Sequence, residues 1–509
     1  MTVSFNTIPG SGLAAPLLGS FEINSAGAYT GNSRALIVAH KTATGTIAVD
    51  TPTLIGSQLD ADRLGGAGSQ LREMFRFLRQ NAPVQEIWAV APAELGVAQT
   101  WTMTIAAPAI GNGVGSVEIA GERVAIQIAS TDTTSTIATN LAAAINAYWN
   151  TLTGAMLPVT ATAAAAVVTL TSRHLGALFG DLDIHVPSIS GSNLFAATAG
   201  ATVGLTAAAG TAGSGVPSLT ASLAAMLDSQ YDLVLCPWSD AASLAAAIAA
   251  MNDVSGRWSW MRQSYGHVFT ASSGTTSALT TLGLSLNDRH LTIIGRPAVA
   301  PHPSYLWLAG MVGRVAPWLG DYTNGGVSRN QSNLAVVGLK APRDRTTWPA
   351  YAVRNTLVQS GISTWTVDDF GNVCVDKLVT TNRQGPQAQP DLTFRDVQKM
   401  YQLTHALRII RADIASEHGN KALAETNPDG NPAIVTPADI HGTIVGSFYK
   451  LRRAGILKNV EGMAAALRVE IDASTPTRVN AFLALDPVNP LDILAGNATL
   501  YALGVPAAA

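Results

Sequence analysis

The period of hydrophobic and polar positions changes several times along this chain, and the changes divide it. The first 30 residues carry Pro9, Pro16 and several glycines without a helical period, and read as an extended arm. Strand-like and helix-like runs then alternate. RALIVA from Arg34 is a short apolar run, which predicts a buried strand. Ser69 precedes QLREMFRFLRQN, where Leu71, Met74, Phe75 and Leu78 share one face; this predicts a helix with the serine as its N-cap. EIWAVA from Glu86 predicts the next strand.

Between Leu95 and Leu205 the texture shifts to short alternating strands rich in Thr, Val and Ile: TWTMTI, GSVEIAG, ERVAIQIAS and AAVVTLTS. A helix over Thr134 to Tyr148, with Ile137, Leu141 and Ile145 four apart, interrupts them. NLFAATAGATVGLTAAAGTAGSG closes the region with the composition of a linker. The α/β rhythm then resumes: a helix at Ser218 to Leu227, strand YDLVLC, helix Ala241 to Met251, strand HVFTA, helix TTSALTTLGLSL and strand HLTIIG. The fold class expected is an α/β core, a largely parallel helix-covered sheet, with an inserted β-rich domain and extended N- and C-terminal arms.

The last third predicts a hairpin, ISTWTV-DDFGN-VCVDKLV, and then two helices. In the first, Val397, Met400, Tyr401, Leu407, Ile410 and Ile414 follow a helical period, with Asp391 or Thr393 as the start and Gly419 as the stop. The second begins at Thr436-Pro437, an N-cap followed by proline at the first helical position, and ends at Gly455. AALRVEID, RVNAFLAL and NATLYAL are three strand-like runs before a short tail.

Composition narrows the function. Charged residues are 13% of the chain, against about 25% in a typical soluble protein. Hydrophobic residues at 47% and a net charge of −3 exclude a disordered chain and argue against a nucleic-acid binder, which needs a basic excess. MTVSFNTIPGSG has neither a basic nor an apolar signal region, and the most apolar windows are about half a membrane span; a protein made and assembled in a cytoplasm is expected. Cys236 and Cys374 both sit in strand-like runs, as buried free thiols or as one side of an inter-subunit disulfide.

No catalytic signature emerges. Gly-Lys never occurs, so there is no phosphate loop, and Gly-x-Ser-x-Gly and His-Glu-x-x-His are absent. Gly111, Gly113 and Gly115 precede no helix start and fit a hairpin turn better than a dinucleotide site. His174 and His185 near Asp181 and Asp183 are either a metal site or a solvated turn; His405 and His418 fit packing or capping, and NPDGNP a turn. The expectation is a non-enzyme without cofactor or metal. Charge concentrates at Lys450, Arg452, Arg453 and Lys458, which either complement the helix dipole or form a docking surface for an acidic partner.

The order of these parts resembles the contractile tail sheath proteins of bacteriophages, above all their Mu-like branch. The residues carrying the likeness are VSFNTIPGSGLAAP, the run from SRALIVAHKTATG to VQEIWAV, YDLVLCPWSD, DVQKMYQLTHALRIIRADIASEHGNKALAETN, and the ending from RVNAFLALDP to NATLYAL. They span nearly the whole chain apart from the insert, and the proline-rich DPVNPLDILAGNA before the last strand departs from the family's pattern. The resemblance implies an arm at 1–30, an α/β sheath domain at 31–94 plus 206–325, an outward-facing insert at 95–205, a C-terminal sheath domain at 326–489, and an arm at 490–509.

By the same resemblance, many identical subunits form a helical homopolymer around a tail tube, with baseplate and tail terminator proteins as further partners. Arms of neighbouring subunits add strands to a sheet of a third; Val3, Phe5 and Thr7 at one end and Thr499, Tyr501 and Leu503 at the other have the alternation this needs. Lys450, Arg452, Arg453 and Lys458 are the expected contact with the tube. The tail sheath of a virion, assembled in a host cytoplasm, contracts to drive the tube through the host envelope without nucleic-acid binding or membrane insertion by the sheath. The sheath subunit of a phage-derived bacteriocin or injection system is the alternative, and a surface-layer or adhesin protein a more distant one.

Overall fold

The protein is described by a computed structural model covering residues 33–188, 193–196 and 203–496. Its centre is a nine-stranded mixed sheet. From one edge to the other the strands are Leu334–Lys340, Asn372–Lys377, Ile362–Val367, Leu291–Pro297, His267–Gly274, Leu233–Leu235, Arg34–Val38, Glu86–Val90 and Thr53–Ile55. The run from Ile362–Val367 to Glu86–Val90 is parallel, and the outer strands join antiparallel. A parallel sheet must be covered on both faces, and alternation along the strands supplies two cores. Ala35, Ile37, Leu233 and Leu235 point to one; Leu36, Val38 and Val234 point to the other. The first face carries helices Gln70–Asn81, Ser304–Leu319, Val397–His418 and Pro437–Arg453. The second carries Ala241–Met251, Thr276–Leu284 and Tyr351–Gln359.

Local signals place several of these elements. Ser69 Oγ accepts from Arg72 N–H at the start of Gln70–Asn81, and Leu71, Met74, Phe75 and Leu78 are buried. Thr436 and Asp439 form a reciprocal capping box around Pro437, and Gly455 ends that helix at φ 71°. The helix expected from Asp391 or Thr393 begins later, at Val397. Asp391 instead closes a turn on Thr393 N–H, and Asp396 bridges to Val379 in strand fashion while its carboxylate faces Lys377 and Arg395. The segment AALRVEID splits into a helix, Val460–Ala466, and a strand, Arg468–Ile471.

The largest surprise is Ser304–Leu319, a helix that the hydrophobic pattern does not predict. Thirteen of its sixteen residues are buried, so it lacks the polar stripe that makes a period visible. Pro317 sits inside it and Pro303 precedes it without a side-chain cap, which also hides it. Its glycines set the spacing. A Cβ on Gly313 would come within 3.0 Å of Asn81 Cβ, and one on Gly310 within 3.0 Å of Val336. The backbone of helix Gln70–Asn81 therefore packs directly against Gly313, and side chains of strand Leu334–Lys340 pack directly on Gly310. That strand and helix Tyr351–Gln359 are likewise absent from the sequence expectation.

Residues between Val97 and Ser214 build two smaller antiparallel sheets and helix Thr134–Asn146 around a separate core, with Ile137, Leu141 and Ile145 inside it. The stretch read as a linker contributes a strand: Leu205–Ala209 pairs with Trp101–Ile105, and Val97 bridges Ser214. Alanine-rich composition concealed it, since an edge strand needs main-chain pairing more than bulky side chains.

Four buried histidines make stability depend on pH. Burial pushes His40 and His405 down to about 4 and His267 and His302 to about 3, from 6.5. The unfolded chain takes these protons below pH 6.5 and the folded chain does not. Stability is therefore full above that pH and falls as the pH drops toward 4, by up to about 1.4 kcal/mol per pH unit for each histidine. Thermal unfolding of the unassembled subunit should show a midpoint that falls between pH 6.5 and 4.5. A flat midpoint over that window would contradict the burial of these rings.

Candidate assembly surfaces

Groups that the sequence offers for chemistry are engaged in packing. His174 Nε2 accepts from Gln70 N–H at 2.9 Å, and its other ring nitrogen is paired with Glu94. His40 meets Trp238 edge-on at 5.0 Å and donates its backbone N–H to Gln70 Oε1 at 2.9 Å. Together the two histidines pin the start of helix Gln70–Asn81. Asp181 is engaged by the protein itself, in place of the solvated turn. Its carboxylate accepts from Ser304 N–H at 2.9 Å and from the buried Arg296 at 3.3 Å, capping the helix that Pro303 leaves uncapped. His405 stacks on Tyr322 at 4.1 Å and His418 reaches Thr443 at 2.8 Å. Among the described residues no cluster of His, Cys, Asp or Glu is placed to hold a metal. Cys236 and Cys374 are buried free thiols, and burial raises the Cys236 thiol to about 12.

Charges bolt the Val97–Ser214 region to the core at two places. Arg343 lies 2.6 Å from both Glu118 and Asp183, and those carboxylates hold its guanidinium above the usual arginine range. Lys340 donates to Gly121 C=O, and Gly121, at φ 82°, leaves no room for a Cβ beside the His302 ring. At the second place the fully buried Arg72 donates to Gly154 C=O at 2.8 Å, and Glu73 accepts from Met156 N–H at 3.2 Å. Sequence reading missed these residues because the pairs lie 82 to 225 positions apart and carry no local pattern.

The basic cluster is real but largely answered. Lys450, Arg452 and Arg453 occupy the last turn of Pro437–Arg453, where they complement the helix dipole. Lys450 lies 2.8 Å from Asp413, Arg452 3.0 Å from Glu461, and Lys458 3.7 Å from Asp486. Four cations against three carboxylates leave a local balance of 4 − 3 = +1. Arg453 is exposed, and no ion pair among the described residues includes it. The structure thus brings these four residues onto one corner with their counter-charges already present.

Beside that corner lies an incomplete sheet. Arg468–Ile471 pairs antiparallel with Val479–Phe482, and no third strand joins either edge among the described residues. Val469, Val479 and Ala481 rest on the main core while Phe482 is half exposed. A two-stranded sheet is marginal alone and exposes two rows of backbone donors and acceptors. The arm residues Val3, Phe5 and Thr7, with Thr499, Tyr501 and Leu503, lie outside the described residues.

Comparison with known proteins bears out the resemblance. Residues 212–381 match the family model of the phage tail sheath protein central domain. The Mu-like prophage FluMu tail sheath protein of Haemophilus influenzae is 28% identical over 505 residues, spanning 97% of this chain and 99% of the relative. A span of that length takes in residues 95–205 as well. Solved sheath tail proteins overlay at 12% identity: that of Desulfitobacterium hafniense with TM-score 0.48, over 92% of this chain and 97% of its own, and that of Listeria innocua with TM-score 0.46, over 90% and 92%.

Arg343→Glu sets a third acid beside Glu118 and Asp183 and should destabilise the subunit by about 1–3 kcal/mol. Limited proteolysis is expected to cut first within residues 95–215 of this variant. A cleavage pattern and unfolding midpoint equal to the parent's would rule out Arg343 as a bolt.

Proposed function

We propose that this chain is the repeating subunit of a contractile tail sheath of the Mu-like type. It polymerises helically around a tail tube and contracts to drive the tube through a host envelope. The end-to-end similarity to a Mu-like prophage tail sheath protein is the observation that carries this reading. The work is mechanical, and the residues that resemble catalytic or metal groups are occupied in packing. Baseplate and terminator proteins at the ends, a virion location and assembly in a host cytoplasm belong to the same proposal.

The physical logic is strand addition. Heterologous contacts that do not close on themselves generate a helical filament from one repeated interface. The sheet of Arg468–Ile471 and Val479–Phe482 is the acceptor in this account, with an edge on each side for the arms of two neighbours. Val3, Phe5 and Thr7 belong to one incoming strand and Thr499, Tyr501 and Leu503 to the other. Main-chain hydrogen bonds supply affinity, and alternate side chains set register. The insert faces outward. The corner bearing Lys450, Arg452, Arg453 and Lys458 meets the tube, with Arg453 as the cation not already paired.

Removal of residues 1–20 should yield soluble monomers that do not polymerise, read by negative-stain electron microscopy and sedimentation. Abundant sheath from that variant would refute the arm's role. Reversal of Arg452 and Arg453 to glutamate should weaken extended assembly on the tube and spare tubeless, contracted polymer. Tail assembly at the parent's level would remove this corner from the tube contact.

A further inference from the structure

The proline-rich run that follows strand Val479–Phe482 makes contacts of its own. Asp486–Asp492 lies along the subunit as an extended strap. Its inner half is tied by main-chain groups: Lys458 N–H donates to Asp486 C=O at 2.9 Å, Val488 N–H to Ile456 C=O at 2.9 Å, and Gln402 Nε2 to Val488 C=O at 2.9 Å. Pro487 and Pro490 have no N–H and a fixed φ, so the strap does not extend as a ladder.

The outer half is held differently. Residues 491–496 are all exposed, with Leu491, Ile493 and Leu494 at 70%, 78% and 87%. Among the described residues two polar contacts tie it down. Asn330 Nδ2 donates to Leu491 C=O at 2.7 Å, and Lys377 Nζ lies 2.7 Å from the Asp492 carboxylate. Lys377 also has Asp396, a buried carboxylate, at 3.5 Å. Loss of Asp492 therefore strands no buried charge, which is what makes most one-sided ruptures of an ion pair costly. Asn330 is half-buried, and its Oδ1 keeps Ser332 N–H at 2.8 Å without the strap.

We propose that residues 489–494 are a releasable latch for the C-terminal tail. On the sheath reading above, a neighbour that holds the tail pulls this segment off Lys377 and Asn330, while the inner half stays seated on Ile456 and Gln402. Six residues in extended form reach up to about 20 Å. Once released, the segment pivots about its anchor at Val488 and its far end can be redirected within a radius of that order, so two copies stay joined through a change of lattice.

The test uses the full-length protein with Asn330→Cys and Leu491→Cys, assembled on tails while reduced and then split into oxidised and reduced halves. Asp492→Asn is run beside it, and contraction under rising denaturant is scored by electron microscopy. The oxidised sample should lose contraction where the reduced sample contracts, and Asp492→Asn should contract at a lower denaturant concentration than the parent. Full contraction of an oxidised sample whose 330–491 disulfide is confirmed by mass spectrometry, or an Asp492→Asn threshold equal to the parent's, overturns the latch. A parent protein that forms no polymer overturns the sheath reading, and the latch with it.

Discussion

Arg296 is buried at the end of a central strand, and around its guanidinium four acceptors converge: the His302 and Ala300 carbonyls and the carbonyl and carboxylate of Asp181, at 2.9 to 3.3 Å. A buried guanidinium is tolerable only when its donors are met. Meeting them fixes the loop before helix Ser304–Leu319 and draws Asp181 onto the first N–H of that helix. The helix then positions its neighbours through Gly310, which takes the side chains of strand Leu334–Lys340, and Gly313, which takes the backbone of helix Gln70–Asn81. The Arg296–Asp181 ion pair adds a third tie between the Val97–Ser214 region and the nine-stranded sheet, beside those at Arg343 and Arg72, and orients the element on which the main core is built.

Such long-range dependence explains what the amino-acid pattern reveals and what it hides. Helices with one wet face were legible: Leu71, Met74, Phe75 and Leu78 announce the first face helix, and Thr436-Pro437 announces its own start. The buried strands RALIV, EIWAV and LTIIG were legible from short apolar runs. Ser304–Leu319 was not, because a helix wet on no side has no period, and its cap comes from a residue 123 positions away. Leu205–Ala209 escaped because its strand identity lies in the partner it pairs with. Of the candidate surface, the strand-like runs at 468–482 and the basic cluster were visible, whereas Asp413, Glu461 and Asp486 as its counter-charges depend on tertiary contact.

The scarcity of charge, 13% of residues, takes on a physical sense in the assembly account. A few of the charges are internal: Arg72, Arg296 and Arg408 are buried or nearly so and serve as bolts. The outside keeps large apolar side chains in water, among them Val84, Leu152 and Phe370 at more than 90% exposure. Interface cores are depleted in charge and enriched in apolar contact, and a subunit proposed to work among copies of itself carries that surface at low cost. The two-stranded sheet at Arg468–Phe482 follows the same logic, since neighbours supply the strands that its own chain does not provide among the described residues.

A cryo-electron-microscopy reconstruction of the polymer formed by the full-length protein tests this most directly. The account predicts a hollow helical cylinder in which backbone density from two neighbouring copies flanks Arg468–Ile471 and Val479–Phe482, making a sheet of four strands from three subunits. Compact unpolymerised particles, or a polymer in which that sheet keeps two strands, would contradict it.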